Sequence, residues 1–122
     1  MPRHDPYAAL QQILDAAMNQ AANGKGADRH AQDQDFTDQP MQSISDLLGS
    51  EHGCLFQAMK KIQESTRLDH EPAEAELLGA INYIAGAILW KQRKRKAQIT
   101  EQRDMLAATA SFTPPPGFDP EA

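Results

Sequence analysis

Residues 77–90, LLGAINYIAGAILW, decide the fold of this 122-residue chain. Leu77, Ile81, Ile84 and Ile88 recur at steps of three and four, with Leu78, Ala85 and Leu89 beside them. That spacing puts the large side chains on one side of an α-helix, and a face this wide predicts a central core helix. A second stripe runs along the same stretch, made of Ala75, Gly79, Asn82 and Gly86. Glycine inside a helix costs about 0.5–1 kcal/mol relative to alanine, so two on one stripe imply the close approach of another backbone. Gly79, Asn82 and Gly86 are therefore candidate contacts, for a tight helix crossing within the chain or between two copies. The run before Lys91 is 14 residues long with Asn82 in its middle. Crossing a bilayer takes roughly 20 apolar residues, so no membrane partner is expected.

Upstream, Glu71-Pro72-Ala73-Glu74-Ala75-Glu76 reads as a helix start. Proline suits the first helical position, and carboxylates in the first turn face the positive end of the helix dipole. Downstream, Lys91, Arg93, Lys94, Arg95 and Lys96 put five cations in six positions. On a continuing helix they wrap around its axis, and with Trp90 they form a candidate partner-binding surface for an acidic protein face or phosphates. Ile99, Met105 and Leu106 continue a weak stripe, so the spacing predicts one helix over 72–108.

Valine is absent, and β-branched and aromatic residues are few against many Ala, Gln, Leu, Glu and Lys. These preferences predict an all-α fold: a small helical bundle with a long C-terminal helix. Asp5-Pro6 opens a first helix over 6–22, with Tyr7, Leu10, Leu14, Ala17, Met18 and Ala21 on one face. Pro40 opens a second over 40–48, with Met41, Ile44, Leu47 and Leu48 expected inward and Gly49 as its stop. A third over 52–66 is expected to bury Leu55, Phe56, Met59 and Ile62, and to keep Lys60, Lys61, Glu64 and Arg67 on or beside its polar side. The 72–108 helix is expected between the first and third. Together they form one domain, residues 1–110, followed by a flexible Pro-rich tail over 111–122 that contains FTPPPGFDPEA. So short a chain is expected to leave an apolar face uncovered, which makes a homo-oligomer plausible.

Between the first two helices lies a long polar loop, GKGADRHAQDQDFTDQP, which Phe36 is expected to pin. Lys25, Arg29 and His30, with Lys60, Lys61 and Arg67, are the candidate anion-binding residues. The Gly-Lys-Ser/Thr ending of a nucleotide-binding loop is missing. His52-x-Cys54 lacks the second ligand pair of a structural zinc site, so no metal or cofactor is expected. A magnesium cluster of Glu64, Glu71, Glu74 and Glu76 requires convergence from two helices, and the helix dipole already accounts for three of these acids. No Ser/His/Asp or Cys/His set accompanies them, and the residues favour binding over catalysis. Lone Cys54 and the absence of an apolar leader fit a cytoplasmic chain. A net charge of −5 speaks against general nucleic-acid binding.

Over residues 20–90, the segments GKGADRHA to QDFTDQP, FQAMKKIQES and ELLGAINYIAGAI resemble small helical accessory proteins encoded by bacteriophages and prophages. The resemblance implies a phage-type accessory role, with anti-defence or host-takeover inhibitors as natural members of the class. The acids also look like those of MazG-like all-α nucleotide pyrophosphohydrolases, which pair an ExxE on one helix with an ExxD on the next. Glu71 and Glu74 match the first pair, but no ExxD follows in residues 77–90. The expected function is thus a non-enzymatic binding protein that engages a host protein, ahead of one that sequesters a nucleotide-like ligand. A magnesium-dependent pyrophosphohydrolase is one alternative. Nucleic-acid association through residues 91–96 is the other, and its affinity should fall steeply with salt.

Overall fold

The computed structural model describes residues 4–23, 34–110 and 117. The regular elements among them are helical: α1 (Ala8–Asn23), α2 (Pro40–Leu48), α3 (His52–Ser65) and α4 (His70–Ala110), with a short 3-10 turn at Phe36–Asp38 ahead of α2. The fold is an all-α bundle. Contacts divide the chain into two compact units, Met1–Lys91 and Gln92–Ala122. None of the described helices is long and apolar enough to cross a membrane. The tail over 111–122 and most of the polar loop lie outside the described residues, apart from Gly117.

Local chemistry sets the helix ends. The Asp5 carboxylate accepts the Tyr7 N–H at 2.9 Å, and α1 begins at Ala8, two residues later than the Asp-Pro signal suggests. Pro40 occupies the first turn of α2. Gly49 closes α2 in the left-handed region at φ 68°, where its N–H reaches the Asp46 and Ser45 carbonyls, a conformation that costs glycine least. α4 starts at His70 rather than Pro72, so the proline ring still lies in the first turn, where no N–H is needed. At its other end α4 continues through the basic cluster to Ala110.

The packing of the first unit reverses the expected polarity of three helices. α4 buries Gly79, Ala80, Gly86, Ala87 and Trp90, while Leu77, Ile84 and Ile88 stand exposed and Ile81 is half-buried. α2 buries Gln42 and Ser45 and exposes Ile44, Leu47 and Leu48. α3 buries Cys54 and Ala58, leaving Phe56, Met59 and Ile62 open and Leu55 half-buried. On α1 only Ala17 is buried, and Tyr7, Leu10, Leu14 and Met18 are open.

The physical reason is the small-residue stripe of α4. A Cβ added at Gly86 would collide with Met41 Sδ and lie 3.5 Å from Cys54 Sγ; one added at Gly79 would lie 2.9 Å from Lys61 Cδ. The missing side chains leave room for Met41 and Cys54 at Gly86 and for the Lys61 stem at Gly79. Ile44, Leu47, Leu48, Phe56, Met59 and Ile62 are turned to the open faces. Helix-to-helix hydrogen bonds complete the seam. Gln42 Nε2 donates to the Gly86 carbonyl at 2.9 Å, Asn82 Nδ2 to the Ala17 carbonyl at 3.0 Å, and Gln20 Nε2 to the Ala75 carbonyl at 3.2 Å. Ser45 Oγ donates back to Met41 O at 2.8 Å and lies 3.6 Å from Cys54 Sγ. Among the described residues, every buried side-chain nitrogen and oxygen has a partner.

Gln42, 2% exposed, combines tether and filler. Gln42→Ala removes both and should cost about 2–3 kcal/mol. Gln42→Met keeps the volume and should cost about 1 kcal/mol, as read from urea unfolding followed by circular dichroism. Equal losses would mean that the bond to Gly86, rather than the filled volume, sets the contribution.

Candidate partner-binding surface

Because α2 and α3 turn their small and polar side chains toward α4, their large ones line the outside. Gly53 makes the α2–α3 corner close: a Cβ there would lie 3.2 Å from Leu48 Cδ1 and 3.9 Å from Ile44 Cγ2. The result is an open cleft of about 680 Å³ with side chains from all four helices and the turn before α2. Phe36, Ile44, Phe56 and Tyr83 give it apolar walls, and Lys61 and Glu76 place a charge pair among them. Outside the cleft Leu47 is 88% exposed, and Phe56 at its edge is 61% exposed. Isolated exposed leucines are ordinary on protein surfaces, and of the exposed apolar residues of α2 and α3 Ile44 and Phe56 line the cleft itself.

The cleft's charges are already matched. Lys61 Nζ sits 3.4 Å from Glu76 Oε2 and 5.9 Å from the centre of the Tyr83 ring. Its stem covers Gly79, which moves Lys61 from the polar side expected of it to the α4 contact. A paired, partly buried cation is a poor anchor for free phosphate, so the arrangement suits an apolar side chain flanked by polar groups.

The other sequence candidates do not gather in one place. Lys25, Arg29 and His30 lie outside the described residues. Lys60 and Arg67 are exposed on and just after α3. Trp90 is only 8% exposed, and its Nε1 donates to Asp46 Oδ1 at 3.0 Å, so the ring serves the interior of the first unit. Lys91 Nζ pairs with Glu51 Oε1 at 3.2 Å. The Glu51 backbone N–H, followed by Lys91, holds that carboxyl below the ordinary value of 4.5. Arg93, Lys94, Arg95 and Lys96 are exposed in the second unit. Gly79, Asn82 and Gly86 make their contacts inside the chain, against Lys61, α1 and the α2–α3 pair respectively.

Cys54 is buried beside Ser45 rather than presented with His52. Among the described residues, no three His, Cys, Asp or Glu side chains come together in a metal-holding group. The cleft itself escaped the sequence reading because it needs all four helices at once. Its only local signal was the apolar spacing of Ile44 and Phe56, which reads equally well as core. Compared with protein-family models, characterised proteins and solved structures, the chain matches none.

Proposed function

We propose that this chain is a non-enzymatic binding protein that recognises a partner protein through the apolar cleft and the outer faces of α2 and α3. The observation supporting this reading is the reversed packing, which leaves Ile44, Leu47, Phe56, Met59 and Ile62 available to a partner while small and polar residues fill the interior. An amphipathic helix laid into such a groove would bury its apolar stripe there and meet Lys61 and Glu76 with polar flanks. The resemblance to phage-encoded accessory proteins extends the proposal to a bacterial host protein as the partner, and to interference with a host process as the outcome. The matched charges in the cleft weigh against a free nucleotide.

Capture from bacterial lysate on the immobilised full chain tests this. One stoichiometric protein should be retained, then lost on Phe56→Glu and on Leu47→Glu, with helical content and melting unchanged in both variants because these positions are open. Capture indifferent to both substitutions would overturn the assignment. Magnesium-dependent nucleotide turnover that disappears with Glu74→Ala would do the same.

A further inference from the structure

The α4 face turned away from α2 and α3 is a second, separate surface. Leu77, Ile81, Ile84 and Ile88 follow one another at steps of four, three and four, the period of a coiled-coil seam. Leu77, Ile84 and Ile88 are 44%, 41% and 53% exposed. Continuing the same steps, the seam position before Leu77 is Glu74 and the one after Ile88 is Lys91. Both side chains are about two-thirds exposed, at 65% and 66%.

We propose that this seam joins two copies of the chain, paired antiparallel about a two-fold axis that passes between Ile81 and Ile84. The inference rests on reading the first unit as a protein-binding module, but it uses a different face from the cleft. The end charges decide the occupant and its direction. In a parallel pair Glu74 would meet its own copy and Lys91 its own, placing like charges at both ends of the apolar contact. In the antiparallel pair Leu77 meets the partner subunit's Ile88, Ile81 meets the partner subunit's Ile84, and Glu74 meets the partner subunit's Lys91. One register thus satisfies both the apolar set and the charges, and symmetry satisfies each twice. Ala85 on the flank leaves room for close approach. Lys91, with three donors, can keep donating to Glu51 while donating to a second carboxylate. The apolar seam spans only about 17 Å of helix, small for an interface, so association in the micromolar range is expected.

Sedimentation of the full chain from about 1 to about 100 µM should show reversible dimerisation, and Ile84→Lys should weaken it at least about 100-fold. The register is read with cysteines. Positions 74 and 91 are about 25 Å apart along one helix, beyond the reach of a disulfide within one chain. Mild oxidation should therefore link the Glu74→Cys/Lys91→Cys double variant into a covalent dimer, while neither single variant links. Single variants that cross-link as readily as the double would overturn the antiparallel register. A chain that stays monomeric throughout the range would overturn the pairing itself. Phe56→Glu separates this from the proposed function. A monomer whose lysate capture still depends on Phe56 sinks the pairing alone, whereas a cross-linked dimer that captures nothing sinks the function alone.

Discussion

Gly86→Leu should destabilise the first unit by about 3 kcal/mol, one of the two largest effects expected of a single side-chain change in this chain. The glycine stands where α2 and α3 both press on α4, against Met41 and Cys54, and its carbonyl accepts the buried Gln42 bond. A leucine would have to displace both neighbours and pull Gln42 off its acceptor, and overpacking of this kind costs about 1–3 kcal/mol before the hydrogen bond is counted. The gain in helix propensity, about 0.5–1 kcal/mol, opposes it only in part. Gly86→Ala is the useful contrast. The atom it meets first is the sulfur of half-buried Met41, a flexible chain that can move aside, so propensity and crowding should nearly cancel. Thermal and urea unfolding followed at 222 nm would measure both. A leucine variant within about 1 kcal/mol of the parent would show that α2 and α3 do not rest on this stripe.

Trp90→Ala should cost about 3–5 kcal/mol. The indole is the largest buried side chain on α4, and through Asp46 Oδ1 it also fixes the C-terminal half of α2. Trp90→Phe keeps most of the apolar area but drops the donor, leaving a cost of about 1–2 kcal/mol. Because this is the chain's only tryptophan, its emission reports directly on the packing: unfolding of the parent should shift it to the red. Equal stability losses in the two variants would mean that the bond to Asp46, rather than the buried ring, anchors the helix.

Helix positions were legible in the sequence because their signals are local. Pro40 and Gly49 mark α2 almost to the residue, and the run over 77–90 announces α4. Which side of each helix faces inward was not legible. Residues 77–90 carry two stripes, one large and one small, and periodicity locates both without ranking them. The small stripe packs inward because Met41, Cys54 and Lys61 complement Gly86 and Gly79 across helix pairs, a relation between distant residues. Likewise Gln42 and Ser45, three apart on α2, carry no local sign of burial, which follows for Gln42 from the Gly86 carbonyl opposite it. Lys61 was misplaced for the same reason: nothing beside it in sequence shows the gap at Gly79 that its stem fills. The cleft followed the same rule, with its walls visible one by one as apolar residues and its hollow visible only after assembly.

The seam of glycine, alanine and side-chain amides also has a calorimetric consequence. Unfolding normally raises the heat capacity by about 12–15 cal/mol/K per residue, because apolar surface meets water, and exposed polar surface subtracts from that rise. Apart from the Trp90 ring, the buried side chains of the first unit are small or polar: alanines, Cys54, Gln39, Gln42 and Ser45, with Gln42 and Ser45 hydrogen-bonded to backbone carbonyls. The heat-capacity change per residue should therefore fall below that usual range, as scanning calorimetry would read.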